Sequence, residues 1–193
     1  MIIKGLSVGM LGTNCYIVAS ESTGEGMVID PGDEAKKILR LIKELKLKIK
    51  LIVITHGHPD HMDALEEVYR STGAKLAIHQ NDADDLPAGL TADILLKGGE
   101  MLSVGELRFL VLHTPGHSPG GICLYGNGVL FCGDTLFNNS VGRTDFPGGS
   151  ARQLIDSIIT KLMVLPENTV VYPGHESITS IGEEKRHNPF LRG

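Results

Sequence analysis

Residues 51–61 read Leu51-Ile52-Val53-Ile54-Thr55-His56-Gly57-His58-Pro59-Asp60-His61. The apolar residues at the start predict a short strand that is buried on both faces. Directly after it, His56 and His58 alternate along a turn, so their imidazoles are able to lean toward one point. Asp60 and His61 fall at the start of the next predicted helix and face a neighbouring point. This cluster predicts metal binding, because imidazole and carboxylate are standard ligands for zinc and similar divalent ions.

Three further candidate ligands, His117, Asp134 and His175, each lie next to a glycine and close behind an apolar, strand-like run. Strand ends and tight turns hold ligands rigidly, and Asp134 is suited to bridge two metal ions about 3.5–4 Å apart. The sequence therefore predicts a two-metal hydrolase site with the ligands His56, His58, Asp60, His61, His117, Asp134 and His175. The positive charge of two divalent ions exceeds the negative charge of two aspartates and one hydroxide, which predicts an anionic small-molecule substrate.

Composition narrows the function classes. The 193-residue chain is 41% hydrophobic and 21% charged, as is ordinary for a globular protein, and its net charge of −5 argues against nucleic-acid binding. No apolar run approaches the roughly 18 residues of a membrane span, and no secretory signal is visible, so we expect no membrane contact and a cytoplasmic location. The cysteines lie in apolar runs and are expected to be small buried hydrophobes: Cys15, Cys123 and Cys132.

The predicted elements run strands, helix, strand, helix, strands, helix, strand, which is typical of an α/β sandwich with sheets inside and helices outside. We expect helices over 33–46, from about residue 60 and from residue 150, where Ser150 and Gln153 match a capping box. The remaining expectations are a solvated short helix or loop over 81–86, a loop over 135–149, a last strand over 169–172 and a polar tail. No linker or repeat is visible, so one domain is predicted over residues 1–193.

These motifs resemble the metallo-β-lactamase superfamily and, within it, the glyoxalase II-like (hydroxyacylglutathione hydrolase-like) hydrolases. The similarity covers nearly the whole chain and is carried by residues 14–16, 30–32, 55–61, 115–120, 133–137, 141–149, 172–175 and 188–191. The resemblance implies a four-layer αββα sandwich and two divalent metal ions, with zinc expected first and iron or manganese as alternatives. It assigns one ion to His56, His58 and His117, the other to Asp60, His61 and His175, and the bridge to Asp134.

The reaction that the resemblance implies is hydrolysis of a thioester of the S-lactoylglutathione type by a metal-bridging hydroxide. Asp60 and Asp134 would be the catalytic carboxylates. The chain departs from the family pattern at Met62-Asp63 and at Glu176-Ser177, and the carboxylate of Asp63 either alters the local charge or faces solvent. Full-length glyoxalase II enzymes also carry a C-terminal helical domain that contacts glutathione, and this sequence is expected to lack it. The glutathione preference is therefore open.

Four further residues with functional side chains lie outside the ligand set. Arg143 lies in a glycine-rich segment, where it either binds a substrate carboxylate or pairs with an acid such as Asp145 to hold the loop. His79, His113 and His187 lack partner spacing, and structural roles are preferred for them. We expect His79 at a strand end, His113 supporting the turn before His117, and His187 in the tail.

Three other functions compete with the thioester hydrolase. A persulfide dioxygenase of the same superfamily would bind a single iron through His56, His117 and Asp134, and the metal count separates it from the hydrolase. A lactonase or β-lactamase is the second alternative, although the missing export signal disfavours the lactamase. A metal-binding protein without enzymatic activity is the third. A nuclease is disfavoured, because neither a basic surface nor an inserted domain is visible.

Overall fold

Two six-stranded β-sheets lie at the centre of the molecule. The computed structural model describes residues 1–192 of the chain. The first sheet has the spatial order β1-β2-β3-β4-β5-β6, with the bounds Ile2–Val8, Thr13–Ala19, Glu25–Ile29, Lys48–Val53, Lys75–His79 and Ile94–Leu96. Strands β1 to β3 pair antiparallel, whereas β3 to β6 pair parallel, so the carboxyl ends of the parallel strands share one edge of the sheet.

The second sheet is mainly antiparallel and has the order β14-β13-β10-β9-β8-β7. Its strands in chain order, β7 to β10 and then β13 and β14, are Met101–Val104, Leu107–His113, Ile122–Gly126, Val129–Gly133, Val170–Pro173 and Thr179–Ser180. Strands β10 and β13 form its one parallel pair among the described residues. A separate small hairpin consists of β11, Leu136–Phe137, and β12, Ser140–Val141, within the segment predicted as a loop.

The hydrophobic core forms three layers. The layer between the two sheets contains Met27, Val53, Phe109 and Phe131, all of them buried. Two further layers lie outside the sheets, beneath four helices. These helices, α1 to α4, are Ala35–Glu44, Leu65–Thr72, Ala151–Ser157 and Ile181–His187. Helices α1 and α2 cover the first sheet and α3 and α4 cover the second, so the predicted four-layer αββα sandwich is confirmed.

The start of the second predicted helix was placed too early. Residues Pro59–His61 form a single 3₁₀ turn, and α2 begins only at Leu65. Pro59 is suited to the start of this turn, because its φ is fixed and it has no backbone N–H that needs a partner. The capping box is confirmed, because the Ser150 side chain accepts a hydrogen bond from the Gln153 backbone N–H before α3. Helix α3 continues into a π-helical turn, Ile158–Leu162.

The predicted polar tail is wrong. Residues after His175 contribute β14 to the second sheet and then fold as α4, with His187 in its last turn. The polar composition of this segment did not indicate a packed helix. In the structure Glu184 is fully buried, and its carboxylate accepts hydrogen bonds from Asn139, Thr179 and Asn188. Hydrogen bonds from several donors compensate for the cost of burying a carboxylate, so the segment folds although it has few apolar residues.

Four further findings concern short elements, the cysteines and membrane spans. Strand β6 was not foreseen, because its three residues are too few for a periodicity signal. The segment predicted as solvated is the 3₁₀ helix Gln80–Asp85, whose surface is mostly exposed except for the fully buried Asp82. All three cysteines are buried free thiols, as predicted. Within residues 1–192, no helix has both the length and the apolar character needed to cross a membrane.

Candidate metal centre

Seven side chains from four connections between secondary-structure elements meet at one site. Groups of three metal-binding atoms lie within 4.8 Å of one another in three overlapping sets: His56, His58 and His117; His56, His61 and Asp134; and Asp60, His61 and His175. The structure therefore brings together every residue that the sequence analysis selected as a metal ligand. Among residues 1–192 there is no other group of this kind.

Strand ends deliver these side chains from both sheets. His56 and His58 follow β4 of the first sheet, whereas Asp134 directly follows β10 and His175 follows β13 of the second. His117 lies in the turn between β8 and β9. Because β10 and β13 are parallel neighbours, their carboxyl ends hold Asp134 and His175 side by side.

Asp134 occupies the middle of the cluster. Its Oδ2 lies 3.5 Å from Nε2 of His117 and 3.5 Å from Nε2 of His175, while its Oδ1 lies 3.4 Å from Nε2 of His61. The ring nitrogens Nε2 of His56 and His117 are 3.1 Å apart. The carboxylate thus separates a group of imidazoles on one side from a mixed imidazole and carboxylate group on the other.

The second ring nitrogen of four imidazoles is held by the protein. Nδ1 of His117 donates to the Arg143 carbonyl at 2.8 Å, and Nδ1 of His175 contacts the Leu11 carbonyl at 3.2 Å. Nδ1 of His61 contacts Asp30 at 2.9 Å, and Nδ1 of His56 contacts the Thr55 hydroxyl at 3.1 Å. Such contacts fix the orientation of a ring and leave Nε2 free to bind a metal ion.

The donor set fits divalent metal ions. Nε2 of His61 and Oδ1 of Asp134 are buried and have no hydrogen-bond partner among the described residues. Buried polar atoms without a partner are rare, because each costs roughly 1–3 kcal/mol. Both atoms point into the cluster, where a cation would satisfy them together. Imidazole and carboxylate donors suit zinc, iron and manganese.

Electrostatics divides the cluster into two halves. Burial, together with neighbouring imidazoles, lowers the pKa of His56 and His58 and keeps both rings neutral. Burial also acts to lower the pKa of His61, but the charges of Asp30 and Asp134 outweigh it and raise that pKa to about 10. Although burial opposes it, the hydrogen bond from His175 and the charge of His61 hold the pKa of Asp60 well below its usual value. One half therefore contains the neutral rings of His56 and His58, and the other contains the paired charges of His61 and Asp60.

Sequence reasoning missed the role of Asp30, which it named only within residues 30–32 as part of the family resemblance. This residue is buried with a left-handed φ of 50°, and its Oδ1 accepts the Thr55 backbone N–H at 2.7 Å. Its Oδ2 accepts the Thr55 hydroxyl at 2.7 Å and contacts His61 at 2.9 Å. Asp30 thus orients His61 directly and His56 through Thr55. The sequence signal that pointed to it was an aspartate at the end of a buried strand, the same setting as Asp134.

A pocket of about 450 Å³ opens above the cluster. Its wall contains the apolar side chains of Leu11, Phe137, Val141 and Phe146 next to the candidate ligands. Its volume lies in the range of small-molecule sites. A second hollow of about 570 Å³ lies between the ends of α1 and α2, among exposed charged residues and away from the metal cluster.

Arg143 lies at the rim of this pocket. Its guanidinium forms a two-point ion pair with Asp145, with distances of 2.8 and 2.7 Å, and its Cζ lies 3.9 Å above the ring of Phe146. The pairing with Asp145 that the sequence analysis considered is therefore present. The guanidinium also lines the pocket, so a substrate contact stays a prediction.

The other histidines and Asp63 lie outside the cluster. His79 ends β5, and its ring stacks on His113 with centroids 4.0 Å apart. Nε2 of His113 contacts the Pro119 carbonyl at 2.9 Å, across the turn that carries His117. Asp63 is exposed and lines a shallow hollow beside Asp60.

A family model described as the metallo-beta-lactamase superfamily matches residues 8–175. The protein belongs to the metallo-β-lactamase superfamily. This confirms the resemblance inferred from the motifs. Among curated relatives, the chain is 37% identical to hydroxyacylglutathione hydrolase GloC of Haemophilus influenzae over 209 residues, which cover 99% of this chain and 98% of that protein. The glyoxalase II-like character of this superfamily member is thus supported over its length.

Solved structures resemble this superfamily member closely. The BLEG-1 B3 metallo-β-lactamase has a TM-score of 0.95 at 35% identity, with all of both chains covered. ETHE1 from Myxococcus xanthus has a TM-score of 0.89 at 36% identity, covering 98% of this chain and 84% of that one. TTHA1623, solved in a di-iron-bound form, has a TM-score of 0.86 at 34% identity, covering 97% of this chain and 100% of that one. The metallo-β-lactamase fold is therefore established for this chain.

Proposed function

We propose that this protein is a two-metal hydrolase that cleaves a thioester of the S-lactoylglutathione type. The observation that carries the proposal is the central position of Asp134, whose Oδ2 lies 3.5 Å from an imidazole nitrogen in each half of the cluster. A carboxylate between two sets of donors suits a bridging role between two ions. The likeness to GloC, named a hydroxyacylglutathione hydrolase, supports the substrate class.

In this proposal His56, His58 and His117 hold one ion, and Asp60, His61 and His175 hold the other. Two of the three donor sets in the cluster have these members, which supports the division. When bound, divalent ions lower the pKa of water to about 7 and polarise a carbonyl oxygen.

The chain's own carboxylates complete the chemistry. Asp60 stays ionised at neutral pH, and its Oδ2 accepts the Thr13 hydroxyl at 2.9 Å and lies 3.2 Å from Nε2 of His175. We assign Asp60 the orientation of the attacking water. The water oxygen bonds to the thioester carbonyl carbon, the carbon–sulfur bond breaks, and the sulfur takes a proton from that water. The products are a carboxylic acid and a free thiol.

The pocket supports a small thioester with one polar end. Leu11, Phe137 and Phe146 provide apolar contacts, while Arg143 is the only Lys or Arg in its wall among residues 1–192. An Arg side chain is suited to a carboxylate because it offers two parallel N–H donors. We therefore assign Arg143 to the binding of a substrate carboxylate, which requires that Asp145 share or release the guanidinium.

Two other activities have specific support. The likeness to ETHE1 supports the mono-iron persulfide dioxygenase, for which His56, His117 and Asp134 would hold the iron. The likeness to BLEG-1 supports hydrolysis of a cyclic amide or ester instead of a thioester. The three activities differ in metal count, in oxygen consumption and in the bond that is cleaved.

The deciding experiment reconstitutes metal-free protein with Zn²⁺, Mn²⁺ or, without oxygen, Fe²⁺. Bound metal is counted, and S-D-lactoylglutathione is offered while both thioester loss and free thiol are followed. We expect two metal equivalents and turnover that disappears in His58→Ala. The matched control is His187→Ala, which removes an exposed histidine in α4 and should keep full activity.

The same preparations are offered glutathione persulfide in an oxygen electrode, and a lactone and a β-lactam in hydrolysis assays. One bound iron with oxygen consumption would replace the thioesterase proposal by the dioxygenase. Two bound metals without thioester cleavage, but with ring opening, would replace it by the lactonase or β-lactamase.

A further inference from the structure

A second buried aspartate, Asp82, forms hydrogen bonds with neighbours of the candidate ligands and is not itself in any of the three donor sets. Its side chain is fully buried in the 3₁₀ helix Gln80–Asp85 between β5 and β6. Oδ2 accepts the Gly57 backbone N–H at 3.0 Å and the Ser118 hydroxyl at 2.7 Å. Oδ1 accepts the Gly120 backbone N–H at 2.5 Å. Both carboxylate oxygens of Asp82 therefore accept hydrogen bonds, from three donors in total.

The three donors belong to two ligand-bearing turns. Gly57 lies between His56 and His58, after β4 of the first sheet. Ser118 and Gly120 follow His117 in the turn between β8 and β9 of the second sheet. One carboxylate therefore joins the two sheets at the point where each supplies imidazoles to the same donor set.

The 3₁₀ helix lies so close to both turns that Gly57 and Gly120 leave no room for a side chain. A Cβ on Gly120 would lie 2.5 Å from the Asp82 carboxyl carbon, and a Cβ on Gly57 would lie 2.5 Å from a carboxylate oxygen of Asp85. Both distances are far below van der Waals contact. The turns are thus shaped around the 3₁₀ helix, which is consistent with a fixed distance between His58 and His117.

We propose that Asp82 is a positioning residue for one half of the metal centre, the half formed by His56, His58 and His117. The other half is held without Asp82: Asp30 orients His61, and the Thr13 hydroxyl donates a hydrogen bond to Asp60. Loss of the Asp82 carboxylate should therefore weaken one metal site and spare the other. The proposal rests on the two-metal part of the proposed function and is independent of the substrate.

The substitution Asp82→Asn keeps the volume but replaces one acceptor by an NH₂ donor. That donor would face either the Gly120 N–H or the Gly57 N–H and Ser118 hydroxyl, so at least one tether is lost. Groups that orient metal ligands typically contribute about 10–100-fold to metal affinity. Hydrogen bonds to a carboxylate are roughly twice as strong as those between neutral groups, which explains why an amide is a poor replacement.

The test measures each site alone. His175→Ala removes a ligand from the second set and leaves the first, whereas His58→Ala does the reverse. Zn²⁺ affinity is measured in both backgrounds by competition with a chromophoric chelator, with and without Asp82→Asn. We expect a loss of about 10–100-fold in the His175→Ala background and no change in the His58→Ala background. Asp84→Asn, which removes an exposed carboxylate from the same 3₁₀ helix, should change neither affinity.

The result separates positioning from general stability. Equal losses in both backgrounds, or no loss in either, would overturn the proposal. If Asp82→Asn does not fold, as seen by circular dichroism of the metal-free protein, Ser118→Ala removes a single tether and should give a smaller loss with the same selectivity. If His175→Ala with intact Asp82 binds no Zn²⁺, the two-metal centre itself fails and this proposal with it. If the protein binds Zn²⁺ as expected but does not cleave thioesters, the proposal for Asp82 stands and only the proposed substrate is contradicted.

Discussion

The floor and the rim of the pocket are built in opposite ways. On the floor, the side chains of His61 and Asp134 are 0% and 11% exposed, and each makes several contacts with other ligands. On the rim, Leu11 is 71% exposed, and the Arg143 side chain is 56% exposed. The side chains of the floor are thus held by several buried contacts each, whereas those of the rim make few contacts and are exposed to solvent.

This difference assigns catalysis and substrate specificity to different parts of the pocket. A buried polar network tolerates little change, because removing one partner leaves others unsatisfied in a low-dielectric environment. An exposed ion pair contributes at most about 1 kcal/mol and is replaced at small cost. We infer that the floor sets the reaction, whereas the rim sets which substrate is accepted. The following predictions test that division.

The largest effect is expected at Asp134. In Asp134→Asn the volume is kept, but the charge between His117 and His175 is lost, and an NH₂ group faces one of the donor sets. We expect a loss in kcat/KM of about 10³-fold or more, together with fewer bound metal equivalents. Steady-state kinetics and metal analysis on the same sample measure both. Activity within tenfold of the unmodified protein would contradict the central role of this carboxylate.

Asp30→Asn should affect the floor through stability as well as activity. Asparagine tolerates the left-handed φ at this position, so the change isolates hydrogen bonding from backbone strain. The lost acceptor leaves Thr55 or His61 without a partner, for an expected decrease of about 2–4 kcal/mol in the free energy of unfolding. Metal affinity should fall by about 10–100-fold.

Urea denaturation of the metal-free protein and Zn²⁺ competition measure these two effects of Asp30→Asn. The control is Asp33→Asn, which changes an exposed aspartate three residues later and should alter neither quantity. If both variants behaved alike, Asp30 would have no special role in holding the imidazoles.

On the rim, substitutions of Arg143 and Asp145 distinguish substrate binding by Arg143 from a purely structural ion pair. If Arg143 binds the substrate, Arg143→Gln should raise KM up to about fivefold for a substrate with a carboxylate, with kcat nearly unchanged. Asp145→Asn would free the guanidinium and lower KM. If the pair only braces the loop, the two variants should change KM in the same direction. The comparison of both KM values therefore decides the role of Arg143.

The smallest effect is expected at Glu176, an exposed acid that lines the pocket mouth. Glu176→Gln removes a negative charge, so kcat/KM for an anionic thioester should rise by about twofold at low ionic strength. The gain should disappear at high salt, because exposed charges are screened. A gain that persists in salt would indicate a packing effect of this side chain instead.

Local patterns in the sequence predicted much of the floor. The apolar run before His56, the alternation of His56 and His58, and the glycine-flanked His117 are short-range features that need no knowledge of distant residues. Alternating apolar strands and amphipathic helices likewise predicted an α/β sandwich with sheets inside and helices outside, because burial of one face is a local property of each element. The division into four layers was implied by the family resemblance. What failed was the polar segment after His175, where α4 depends on partners of Glu184 from elsewhere in the chain.

The sequence by itself determined which side chains are able to bind metal and which elements carry them, because ligand type and hydrophobic periodicity are written in neighbouring residues. Only the tertiary structure decided how those ligands are held. Asp30 meets His61 across 31 residues, and Asp82 meets Ser118 across 36, and neither separation follows from local spacing. Both carboxylates are buried because they satisfy donors from distant turns, and that condition exists only after the two sheets have packed together.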